Sequence, residues 1–154
     1  MSDPVDQRGW LYICMDIKDP GSCKVGCTRR ALYKRITETG NPDYMIVKAY
    51  KVPPEEAFAL ERHLQREVSK VARRKPHILS GRRSEWFECS PKVAANALEH
   101  DLAKCLGLQD EDGNPMLSHL IFKPHLNWVS QMQLSGRVSS EEHFENVIAA
   151  ISEA

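Results

Sequence analysis

Apolar positions along this chain change their period several times, and each change marks an element. Residues 10–17, WLYICMDI, are dense in aromatic and branched side chains and predict a strand. Pro20 and Gly21 within KDPGS predict a turn, and SCKVGCT at 22–28 a second, shorter strand, so that the two form an antiparallel hairpin. Thr28 is placed to cap a helix over RRALYKRITET, with Leu32 and Ile36 on one face and Gly40 and Pro42 stopping it. YMIVKAYKV at 44–52 is the clearest strand by composition.

After Pro53 and Pro54 the period becomes helical. Glu55 and Glu56 suit a first helical turn, and Ala57, Leu60, Leu64, Val68 and Val71 step by three or four, which predicts a helix to about Arg73. KPHILSGRRS reads as a loop and EWFEC as a short extended segment. Ser90 and Pro91 open a helix that runs to about Leu106 and is ended by Gly107. QDEDGNP is an acidic break, and MLSHLIF and HLNWVSQMQL carry no clear period. Ser139 and Glu142 form a capping-box pattern ahead of a last helix bearing Phe144, Val147, Ile148 and Ile151. The order predicts an α+β fold: a small antiparallel sheet flanked by helices, with a helical C-terminal extension.

Composition narrows the class without changing this picture. The 154 residues suit about one domain, and 42% hydrophobic with 27% charged residues excludes general disorder, collagen and a coiled coil. No apolar run approaches the ~20 residues needed to span a bilayer, and MSDPVDQRG has neither half of a secretory signal, so a cytoplasmic protein is expected. Five cysteines, an odd number at irregular spacing, predict free thiols.

Charge does change the picture. The net charge is zero, yet residues 9–92 hold 17 Lys/Arg against 10 Asp/Glu, and residues 93–154 hold 3 against 9. This divides the chain into a basic unit at 9–92 and an acidic, mostly helical extension at 93–154, expected to pack on it. Arg62, Arg66, Lys70 and Arg73 form a one-signed stripe beside the apolar face of the second helix, and Arg74, Lys75, Arg82 and Arg83 continue it. Like charges four apart destabilise a helix slightly, so the run points to a polyanion whose phosphates it contacts. Glu61 lies within about 60° of Ala57 and Leu64 on the same helix, which sets a carboxylate on or beside the packing face. Cys14, Cys23 and Cys27 lack a fourth zinc ligand at a finger-like spacing, the six histidines are scattered, and no phosphate-binding glycine loop occurs. His63 is expected at the surface or on a phosphate.

The order of these elements, with Trp10-Leu11-Tyr12, Lys24-Val25-Gly26, Arg35, Glu61 and Glu85-Trp86-Phe87 in place, resembles the GIY-YIG nuclease superfamily over about residues 9–90. Lys24 at the second motif's tyrosine, together with the closing EWF, is similar to the branch found in phage proteins and described as DNA-binding. The resemblance implies a metal-dependent DNA endonuclease that hydrolyses phosphodiester bonds with Mg²⁺ or Mn²⁺. Glu61 would hold the metal and Arg35 would clamp a phosphate oxygen. Tyr12 would orient or deprotonate the attacking water, and Lys24 would lower its pKa or serve as base itself. The expected partner is DNA, double-stranded first. Two other readings stay open: a non-catalytic DNA-binding module of the same fold, and a protein-interaction domain whose acidic extension docks a partner or a second copy.

Overall fold

Leu11 and Ile13 are buried on one side of the first strand, and Tyr12 and Cys14 on the other. A strand covered on both faces belongs at the centre of a sheet, because successive side chains point to opposite faces. The computed structural model describes residues 9–32, 40–76, 78, 83–123, 136–152 and 154. Strands β1 (Gly9–Asp16), β2 (Asp19–Thr28), β3 (Tyr44–Val52), β4 (Arg74–Pro76), β5 (Arg83–Phe87) and β6 (Ile121–Phe122) form one antiparallel sheet in the order β4-β5-β2-β1-β3-β6. Helices α1 (Ala57–Ser69), α2 (Pro91–Leu106) and α3 (Glu141–Ser152) complete the α+β architecture, with a 3₁₀ turn at Pro54–Glu56 leading into α1.

Local signals account for much of this. Ser90 caps α2 by accepting the Val93 N–H, Pro91 occupies its first turn, and Gly107 ends it with φ of 68°. Ala57, Leu60, Leu64 and Val68 of α1 meet Ala94, Leu98 and Leu102 of α2 over Leu11, Ile13, Val25 and Tyr50 in the main core. Helix α2, which crosses residue 92, therefore shares its core with the sheet. At the far end of the hairpin, Val147, Ala150 and Ile151 of α3 cover Met15, Ile17, Met45 and Val47, with Phe144 and Ile148 beside them.

Several elements differ from the sequence expectation. The hairpin turns at Ile17 and Lys18, where Asp16 Oδ1 accepts the Lys18 N–H at 2.9 Å, and Pro20 and Gly21 lie inside β2. Helix α1 stops at Ser69 rather than Arg73, and Val71 is exposed, because Arg74–Pro76 leaves the helix to pair with β5. The expected loop at 75–84 thus begins and ends in strand. Residues 121–122 pair with Ala49 and Tyr50. Ser140, not Ser139, caps α3 through the His143 N–H, and the His143 ring takes the Ser139 N–H in place of Glu142. Thr28 does accept the Arg30 N–H at 2.9 Å, as an N-cap would. The helix expected to follow it falls, from residue 33 to 39, outside the described residues, and so does the segment 124–135.

Candidate functional site

Two glycines decide how closely β1 can be approached. A Cβ on Gly26 would stand 2.7 Å from the Tyr12 ring, its neighbour across the β1–β2 pair, so only glycine lets that ring lie flat on the strand. A Cβ on Gly9 would stand 2.9 Å from Pro54 Cα and 3.2 Å from Ala57 Cβ. The start of α1 thus rests directly on the start of β1. That contact fixes where the first turns of α1, with Phe58 and Glu61, meet the end of β2.

There a cleft of about 410 Å³ opens, lined by Cys27, Thr28, Arg29, Arg30, Phe58, Glu61 and Glu85. Glu61 is buried at 9% exposure, as its helical position predicts. Its carboxylate accepts from Gln65 Nε2 at 3.3 Å and from the Cys27 thiol and backbone N–H. Gln65 is itself held, donating to the Val25 carbonyl at 2.8 Å and accepting from Arg74 Nη2 at 2.6 Å. Burial pushes the Glu61 carboxyl above its ordinary range. The Cys27 donors pull it back, and the neighbouring Glu85 carboxylate raises it further. Glu85 pairs with Lys24 Nζ at 3.4 Å. Two carboxylates thus face each other beside exposed Arg29 and Arg30. Arg29 is braced by the Pro54 carbonyl at 2.9 Å.

The predicted residues divide between this cleft and other places. Glu61 lines it, and Lys24 reaches it through Glu85. Tyr12 is 1% exposed in a cluster with Cys14, Leu32, Ile46 and Ala49, apart from the core that α1 covers, and it is not among the cleft's lining residues. Arg35 and Arg82 lie outside the described residues. Arg83 contributes its backbone to β5. Arg62, Arg66 and Arg73 are exposed, as a phosphate-contacting stripe requires. Lys70 is exposed but bonded to Glu67 at 2.8 Å, Lys75 meets Asp19 at 3.3 Å, and Arg74 is spent on Gln65 and the Phe87 ring. Arg74 thus also serves as an internal brace.

Sequence reasoning missed Glu85, Arg29 and Arg30 as site residues. Glu85 was visible only as one letter of the EWF segment, and Arg29 and Arg30 only as residues after a cap. Nothing local says that β5 pairs with β2 and brings Glu85 to Glu61. His63 proves to lie with Glu67 and Asp101, their ligand atoms all within 4.8 Å, in a second donor group between α1 and α2. Glu67 there is held below its ordinary range by Lys70 first and Asp101 second. The cysteines are free thiols, and Cys23 and Cys89 approach to 3.9 Å in the core. Among the described residues no helix is long and apolar enough to cross a membrane.

No curated protein and no solved structure matches the chain. Residues 9–101, from the first strand into α2, match the family model described as the T5orf172 domain, and this span is well over half of the chain. The chain therefore belongs to the T5orf172 domain family.

Proposed function

We propose that this protein is a metal-dependent endonuclease of the GIY-YIG type that hydrolyses phosphodiester bonds of DNA at the cleft between β2, β5 and α1. The observation that carries the reading is the pair Glu61 and Glu85 in a cleft flanked by Arg29 and Arg30. Carboxylates forced together beside arginines suit a site that takes a divalent cation and a phosphate at once. The donor chemistry fits a hard cation such as Mg²⁺ or Mn²⁺. A carboxyl whose proton is held by burial and by a like charge gains when a doubly charged ion takes the proton's place.

Each residue then has a physical role. Glu61 and Glu85 would hold the ion, which when bound supplies positive charge against the phosphate and the leaving oxygen. Arg29 and Arg30 bind non-bridging phosphate oxygens, a geometry that the planar guanidinium matches. Arg35 keeps the clamp role that the resemblance gives it. Lys24 positions Glu85 through their ion pair. Arg62, Arg66 and Arg73 carry flanking phosphates and give affinity without reading sequence. The test incubates supercoiled and linear DNA with the protein and Mg²⁺ or Mn²⁺, beside a gel shift in EDTA. Nicking that stops in EDTA and in Glu61→Gln is the expected result. Nicking that survives both removes the mechanism.

A second reading, a DNA-binding module of the same fold without hydrolysis, is favoured by two observations: Tyr12 is buried outside the cleft, and the Lys24 ammonium is engaged by Glu85. Metal-independent gel shifts with no nicking under any metal would establish it.

A further inference from the structure

Phe58 is 63% exposed, although the helix that carries it turns Ala57, Leu60, Leu64 and Val68 into the core. It lies one turn before Glu61 on α1 and lines the same cleft. The guanidinium of Arg29 stands over its ring at 5.9 Å. That contact does not account for the exposure, because a solvent-exposed cation–π pair is worth less than burying a phenyl ring. The ring is also presented firmly. Gly9 lets the start of α1 rest on β1, and the Pro54 carbonyl fixes Arg29. A flat apolar face, edged by a cation and set one helical turn from a phosphate site, complements a nucleobase, which has a π face of its own.

We propose that Phe58 is a stacking platform for an unpaired base next to the phosphate bound by Arg29 and Arg30 in the same cleft, and that the substrate class is DNA with an extruded or single-stranded nucleotide at the site of action. In a continuous duplex both faces of every base are covered by their neighbours, so a ring on the protein surface gains full stacking at least cost from a base that has already left the helix. Stacking of this kind is tolerant of sequence, as befits a site whose other contacts are phosphate contacts. The inference rests on reading the cleft as a DNA site.

The experiment measures binding in EDTA by fluorescence anisotropy, using a duplex and the same sequence with a one-nucleotide bulge of 2-aminopurine. Wild type, Phe58→Leu and Phe58→Trp are compared, with circular dichroism to confirm the fold. Wild type should prefer the bulge and quench the 2-aminopurine. Phe58→Leu, which keeps an apolar side chain but loses the π face, should weaken bulge binding by roughly 5- to 100-fold and duplex binding by far less, so that the preference for the bulge is lost. Phe58→Trp should preserve both the preference and the quenching. Equal bulge affinity and quenching in Phe58→Leu overturn the platform while leaving the DNA reading intact. Wild type that binds neither DNA overturns both.

Discussion

The two ends of the β1–β2 hairpin are built from the same pair of strands and solve opposite problems. At the turn end, Met15 and Ile17 are sealed by Val147, Ala150 and Ile151 of α3. The buried carboxylate there, Asp43, meets two cations: Lys18 at 3.0 Å and Arg137 at 2.8 Å. Its carboxyl is held below the ordinary range, by Lys18 first and Arg137 second. At the open end, Glu61 faces another carboxylate and is held above that range. One end sets its carboxylate between two cations, and the other sets two carboxylates side by side. The difference is what supports proposing the open end as the site, because frustration that folding has not removed is what a ligand can relieve.

The sharpest way to break this comparison is Glu61→Gln. Cleavage should fall on the order of 10³-fold or more, while DNA binding persists or strengthens as a negative charge leaves the phosphate site. Nicking at the wild-type rate on a supercoiled plasmid would remove Glu61 from the chemistry. The same variant tests the electrostatics. A carboxyl with a raised folded pKa binds its proton more tightly folded than unfolded, so its contribution to stability is lost as pH rises from the ordinary carboxylate value through the raised one. Glu61→Gln should therefore be more stable than wild type at neutral pH, and the gain should vanish in acid, as read by urea melts at several pH values.

At the sealed end the effects should be on stability alone. Ile151→Ala removes a 1% exposed side chain and should cost about 2–4 kcal/mol in urea unfolding, with nicking by the remaining folded protein unchanged. Next in size is the stripe. Arg62, Arg66 and Arg73 changed together to Ala should weaken DNA binding about tenfold or more at low salt and flatten the slope of log affinity against log salt by up to about three units. An unchanged slope puts the docking surface elsewhere. Asp43→Asn should cost about 1 kcal/mol at neutral pH. The sign here is the reverse of that at Glu61. A depressed carboxyl stabilises above its unfolded value and loses that contribution as pH falls through the folded one, so the gap between wild type and Asp43→Asn should close below about pH 3.8.

The smallest expected effect is none. Changing Glu141, Glu142 and Glu145 of α3 to Gln should leave DNA affinity at ~0.15 M salt within about twofold. The helix sits at the turn end, roughly 20 Å along β1 from the cleft at ~3.3 Å per residue, well beyond a Debye length of about 8 Å. A large gain in affinity would mean that the acidic extension tempers DNA binding.

What could be read from the sequence was local. The strand at 44–52 and the helix bounded by Ser90, Pro91 and Gly107 appear where composition and capping put them. The helical periodicity around Ala57 and Leu64 was enough to place Glu61 at the packing face. What could not be read depended on partners distant in the chain. Helix α1 gives up Lys70–Arg73 because β5 recruits Arg74, and no residue before Arg74 announces that. Lys48 sits in an apolar strand yet is buried, because Glu99 of α2 meets it and also accepts the Tyr50 hydroxyl. Glu85 has the same history. Its chemistry comes from lying near Glu61 and Lys24, which sheet order decides and side-chain period does not.

The sheet order has a further consequence, for how copies of the protein behave when crowded together. An open sheet has two edges, and each exposes backbone groups on which a neighbour can template a strand. Here β4 is three residues long, carries Arg74 and Lys75, and ends at Pro76, which has no N–H to offer. The other edge, β6, is two residues long and is followed at once by Lys123. Among the described residues, neither of these two terminal strands by itself gives a second sheet a useful length to zip onto. Copies that meet at these strands can therefore lie side by side without fusing through β4 or β6 into a continuous sheet.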